Sequence, residues 1–113
     1  MDDQKNINRL YKNFNDRDID ALFELLHTNV TWPNGWEGGN VHGHDDVRAY
    51  WLRQWQEIAP SVVPISFDIK PGGEIAVHVH QVIKDLSGQI LSDSQVIHTY
   101  TFENGKVRAM VIE

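Results

Sequence analysis

The sequence predicts an α+β domain, with about three helices followed by an antiparallel meander of about four strands and the helices on one face of the sheet. Three observations predict it. Apolar residues recur at helical spacing through the first half of the chain, and from residue 62 they alternate singly with polar residues. Pro71-Gly72-Gly73, Leu86-Ser87-Gly88 and Asn104-Gly105 then punctuate the second half at turn positions.

Ile7, Leu10, Tyr11 and Phe14 fall at i, i+3, i+4 and i+7, one stripe of an amphipathic helix. Asn15-Asp16-Arg17-Asp18 interrupts it, and Asp18 or Asp16 is placed to cap a second helix that buries Ile19, Leu22, Phe23 and Leu26. Val30-Thr31-Trp32 reads as a short strand ended by Pro33, which cannot donate to a ladder. Residues 33–43 read as a glycine-rich loop in which Trp36 is either a lid over a pocket or an anchor for the loop. Asp45 and Asp46 open a third helix, where negative charge complements the N-terminal dipole. Its inner stripe is Val47, Tyr50, Trp51, Trp55 and Ile58, and Pro60 follows its end. The strands then run over 62–69, 74–85, 89–102 and 106–112.

At 113 residues the chain is expected to form a single domain, residues 1–113, since one core typically serves about 50–200 residues. A net charge of −6 argues against a nucleic-acid partner, whose phosphates call for concentrated Lys and Arg. No apolar run approaches the roughly 18 residues of a membrane span. The absence of cysteine and of a signal-peptide pattern makes a cytoplasmic setting the expectation. The loop at 33–43 contains neither G-x-G-x-x-G nor G-K-[ST], so no phosphate cradle is predicted.

Chemistry is expected on the last hairpin, where Val96, His98, Tyr100 and Phe102 share the face predicted to point inward. Register then decides which other residues join them. A two-residue Asn104-Gly105 turn pairs His98 with Val111. A three-residue loop with a bulge pairs His98 with Met110, and is preferred because Met110 and Ile112 then share the inner face. The preceding turn, read as three residues, pairs Asp85 with Gln89 and sets His78 opposite Val96 and His80 opposite Ser94. In that register His78, His80, Ser94, His98 and Tyr100 line one surface. The two-residue alternative turns His78 and His80 to the other side.

Three segments carry a resemblance to a known family: F-N-D-R-D-I-D-A-L-F-E-L-L-H-T-N-V-T-W, V-H-G-H-D-D-V-R-A-Y-W and V-I-H-T-Y-T-F-E-N-G-K-V-R-A-M. Together they span most of the chain, which resembles the nuclear transport factor 2-like superfamily and, within it, the SnoaL-like or ketosteroid isomerase-like bacterial proteins. The resemblance implies a cystatin-like α+β roll: a cone-shaped, strongly curved antiparallel sheet wrapped on the N-terminal helices around an apolar pocket, usually as a homodimer. It also implies that His98 looks into the pocket. The departures are as informative. Trp32 precedes Pro33 where ketosteroid isomerases keep a general-base aspartate, and the oxyanion tyrosine of the first helix falls at Leu10, next to Tyr11. His98 falls where those enzymes keep a protonated acid. Met110 and Ile112 stand where polyketide cyclases use an aspartate. Two histidines on neighbouring strands resemble the scytalone dehydratase branch instead.

The expected activity is therefore binding of a small hydrophobic molecule, with isomerase, dehydratase or cyclase chemistry open. His98 is the candidate acid/base and His80 or His78 its partner, because neutral imidazole can both take and give a proton near pH 7. Trp32, Trp36, Tyr50, Trp51, Trp55, Ser94, Tyr100 and Met110 are the candidate ligand-binding residues. No cofactor is expected. A metal site on His78, His80 and His98 is an alternative, as is a non-catalytic dimerisation module. The expected dimer surface is the outer sheet face, with Ile97, Thr99, Thr101, Ala109 and Val111.

Overall fold

The computed structural model describes residues 2–113. Helix α1 spans Asp2–Asn15 and buries the predicted stripe, with Ile7, Leu10 and Tyr11 in the core and Phe14 packed at its margin. The chain reverses at Arg17, which adopts a φ of 61°. Its guanidinium holds that strained turn by donating to the carbonyls of Phe14 and Pro60. Asp18 caps α2 (Ile19–Leu25) by accepting from the Ala21 N–H at 3.3 Å.

The first strand is longer than the sequence suggests. β1 covers Leu26–Pro33, and β2 (Asn40–His42) pairs back onto it from within the predicted glycine-rich loop. Helix α3 (Gly43–Trp55) follows at once and buries Val47, Tyr50, Trp51 and Gln54. Four long elements complete the chain: β3 (Ile58–Ile69), β4 (Ile75–Asp85), β5 (Ile90–Glu103) and β6 (Lys106–Ile112). Pro60 lies inside β3 rather than beyond a helix end. The six-stranded sheet runs β2-β1-β6-β5-β4-β3, so β3 is an edge strand, where a missing N–H costs no ladder bond. All neighbours are antiparallel except β1 and β6. Three helices against a curved, open sheet make the predicted α+β cone. Among the described residues no helix is long and apolar enough to cross a membrane.

Two bulges set the registers of β5 against β6 and β4, and both correct the sequence-based expectation. Asn104 and Gly105, with φ of 54° and 79°, form a two-residue turn that pairs Glu103 with Lys106 and Phe102 with Val107. The extra residue is not in the turn but at Arg108, which steps out of the ladder and donates to the Asn29 carbonyl. Beyond it Tyr100 faces Met110 and His98 faces Ile112, so the inner face holds the residues expected of it by a different route.

The second bulge changes the site. Asp85 does pair with Gln89 across the turn, through its N–H to the Gln89 carbonyl at 2.9 Å. Leu91 is then skipped, since Lys84 faces Ile90 while Ile83 faces Ser92. The shift of one residue sets Val77 opposite His98 and Val79 opposite Val96. His78 and His80 therefore point to the outer face, opposite Ile97 and Gln95. The reason is burial. Val77 and Val79 are fully enclosed, and exposing each would forfeit on the order of 1.5–3 kcal/mol in order to bury two histidines.

Candidate functional site

The inner face of the sheet, α1 and α3 enclose a cavity of about 690 Å³. At one wall a three-membered hydrogen-bonded chain links sheet to helix. The Tyr100 hydroxyl donates to the Tyr11 hydroxyl at 2.8 Å, and Tyr11 Oη lies 2.9 Å from His98 Nδ1. Alternation along β5 places His98 and Tyr100 on the same face, and the i+4 stripe of α1 delivers Tyr11 to both. All three are buried: Tyr100 is 0%, Tyr11 3% and His98 5% exposed. His98 Nε2 is buried with no hydrogen-bond partner.

Aromatic rings continue the lining from there, Trp32 lying 6.3 Å from Tyr100 between ring centroids. Trp51 meets Trp32 edge to face at 5.2 Å between ring centroids, and Phe14 packs on Trp51 in the same manner at 5.7 Å. Tyr50 also lines the cavity, and its oxygen accepts from Gln54 Nε2 at 3.1 Å. The loop after β1 adds Gly35 and Trp36 to the lining. Asn34 accepts from the N–H groups of Trp36 and Glu37, Glu37 pairs with Arg53, and the Arg53 guanidinium lies over the Trp36 ring. Trp36 is thus both pinned and at the cavity margin, which joins the two roles its sequence context left open.

No Asp, Glu, Lys or Arg among the described residues lines the cavity. Desolvation governs what does. Burial pushes the His98 imidazole down to about 4, so it is neutral at physiological pH. Burial raises Tyr11, opposed by its hydrogen bond with Tyr100, and raises Tyr100 well above the ordinary phenol value. Tyr50 is raised by burial too, opposed chiefly by the Gly35 N–H that faces its oxygen. Every group of the site is electrically neutral near pH 7.

The candidates named from sequence divide accordingly. Trp32, Trp36, Tyr50, Trp51, Tyr100, Met110 and His98 line the cavity. Trp55 does not; it stacks behind Trp51 at 6.1 Å and is covered by Arg17. Ser94 is exposed beyond the cavity, opposite Gln81. His78 and His80 do not join His98 but pair outside with Asp68 (3.5 Å) and Asp93 (2.7 Å). The three-histidine grouping is thereby broken up, and among the described residues no cluster of three or more His, Asp or Glu side chains is placed to hold a metal ion. Tyr11 is the residue sequence reasoning undervalued. A signal existed, because a tyrosine on a buried stripe must find a partner for its hydroxyl, and His98 and Tyr100 were the inward polar groups available.

The model of the SnoaL-like domain matches residues 7–110. The chain belongs to that family. No curated protein matches this SnoaL-like chain. Among solved structures, an NTF2-like protein of unknown function from Burkholderia pseudomallei superposes with a TM-score of 0.85 at 24% identity, covering 100% of this chain and 90% of the other. TerC, crystallised with polyporic acid, gives 0.85 at 23% identity, with 100% and 91% covered. A Mycobacterium tuberculosis protein in complex with estradiol-17β-hemisuccinate gives 0.82 at 15% identity, with 96% and 90% covered. At these identities the likeness establishes the fold of the SnoaL-like chain and leaves its chemistry to its own residues.

Proposed function

We propose that this chain encloses a small, predominantly apolar molecule inside the cone and holds one polar atom of it against His98. The observation that carries the reading is His98 Nε2, a polar atom buried without a partner beside a cavity walled by aromatic and aliphatic side chains. Leaving such a group unpaired is costly, so the molecule that fills the cavity is expected to complete it. The family supports the small-molecule class, and two neighbours of the same fold were crystallised with polyporic acid and with estradiol-17β-hemisuccinate. The chemistry that fits is isomerisation or cyclisation in which a ligand oxygen gains negative charge, which a hydrogen-bond donor stabilises in a water-poor site. A mechanism with a carboxylate base finds no support, since Trp32 occupies that wall.

Calorimetric titration with a panel of neutral, planar aromatic ketones tests the reading. Saturable binding is expected, and Val96→Trp, which fills the cavity beside His98, should abolish it. A panel that never binds, or that binds the filled variant equally well, overturns the proposal. The same reading pairs two copies through the outer sheet face, where Val111 stays exposed opposite Thr99 and Val63 stays exposed on the edge strand opposite His80. A monomer in sedimentation at micromolar concentration would refute that pairing.

A further inference from the structure

The proton count in the Tyr100–Tyr11–His98 chain fixes the polarity of the site. Each phenol carries one proton, and neutral imidazole carries one on either nitrogen. The chain has only two contacts, Tyr100 to Tyr11 and Tyr11 to His98 Nδ1. Suppose Nδ1 held the imidazole proton. It would donate to Tyr11, Tyr11 would donate to Tyr100, and the Tyr100 proton would lie in the core with no acceptor among the described residues. His98 Nε2 would be a second unsatisfied group, a lone pair facing no donor. In the opposite sense Tyr100 donates to Tyr11 and Tyr11 donates to Nδ1. Both phenol protons are then used, and the sole unsatisfied group of the three is the N–H at Nε2.

We propose that Tyr11, oriented by Tyr100, is a positioning residue that locks His98 in the Nε2–H tautomer, so that the site takes the acceptor oxygen of a neutral ligand such as a ketone or quinone. The ligand half rests on the binding function proposed above; the tautomer half does not. Neutrality follows from the lining. A carboxylate ligand would meet no Lys or Arg there, and an ammonium would meet no Asp or Glu and would point its donors at an N–H. The lock also assigns a role. An imidazole whose Nδ1 is occupied by a phenol proton and whose Nε2 already carries one polarises a carbonyl and stabilises the oxyanion formed from it, instead of removing a proton from carbon.

Nitrogen-15 NMR of the histidine side chains in the full chain, without ligand and near pH 7, reads the tautomer directly. The expected His98 pattern is a protonated Nε2 and an unprotonated Nδ1, present as one species. Tyr11→Phe removes the donor to Nδ1 and should populate both tautomers, a change that mere loss of packing would not produce. A wild-type His98 protonated at Nδ1 overturns the proposal, and that spectrum decides even where Tyr11→Phe fails to fold. A single unchanged tautomer in folded Tyr11→Phe overturns the positioning role. For the ligand half, fluorenone is expected to bind about tenfold more tightly than fluorene, the same framework without the oxygen. Equal affinities overturn the acceptor specificity. Failure of both to bind, with the expected tautomer present, overturns the binding function and leaves the lock standing.

Discussion

Acidification should destabilise this fold through His98, by an amount the structure sets. The imidazole is neutral and enclosed in the native state, where burial lowers it from its ordinary 6.5 to about 4. In the unfolded chain it titrates at its ordinary value, so between those two pH values the unfolded state binds more protons than the folded one. Stability is therefore complete above about pH 6.5, falls by about 1.4 kcal/mol per pH unit below it, and levels off near pH 4. The total is about 3 kcal/mol, a large share of the 5–15 kcal/mol typical of a domain. The matching control is His98→Gln, whose amide oxygen can still accept from Tyr11 and which does not titrate. Urea denaturation of both proteins from about pH 7 down to about pH 4.5 gives the difference between their unfolding free energies. Carboxylates and the remaining histidines are common to both and cancel to first order. The difference should move by about 2–3 kcal/mol against the wild type as the pH falls. Parallel curves, with a constant difference, would refute a buried neutral His98.

Further outcomes are expected elsewhere. Trp51→Ala opens a hole between Phe14, Phe23 and Trp32 and should cost about 3–5 kcal/mol in chemical denaturation; a loss below about 1 kcal/mol would mean the wall does not depend on it. Tyr11→Phe leaves the Tyr100 hydroxyl and His98 Nδ1 without partners, a loss of about 1–3 kcal/mol, whereas Tyr11→Ala should cost more because packing is lost as well. Glu37→Gln should leave the melting temperature nearly unchanged, because the Glu37–Arg53 pair is exposed, yet shift Trp36 emission by loosening the loop; an unchanged spectrum would count against the pinning of Trp36 by Arg53. Replacing His78 and His80 by alanine should leave affinity for any cavity ligand intact, and a tenfold loss would contradict their outward register.

Much of the fold was legible in local pattern. The stripes Ile7-Leu10-Tyr11-Phe14 and Val47-Tyr50-Trp51 name the buried faces of α1 and α3, because side-chain direction on a helix follows from spacing alone. The position of the Asn104-Gly105 turn was legible for an equally local reason, the positive φ both residues adopt, although its two-residue length overturned the three-residue loop the inner-face pattern favoured. The site was half legible. His98 and Tyr100 face inward as alternation requires, but the fate of His78 and His80 depended on which of two signals prevailed. Turn length placed them beside His98, while the strand's own pattern, with Ile75, Val77 and Val79 on one side, placed them outside. The strand prevailed through a bulge at Leu91, since enclosing two valines outweighs keeping an unbroken ladder.

The sequence by itself determined the order of the elements, the apolar face of each helix and the inward aim of His98, all of which depend on residues a few positions apart. Tertiary structure alone decided the two bulges, the pairing of β1 with β6 and the meeting of Tyr11 with His98, 87 residues away in the chain. A bulge is a compromise between two strands, and a hydrogen bond between a helix and a sheet depends on how closely the two pack. Neither is written in any single segment. The chemistry of the site belongs to this second group, because a histidine becomes a neutral donor only when the fold removes water from one side of it and supplies a phenol on the other.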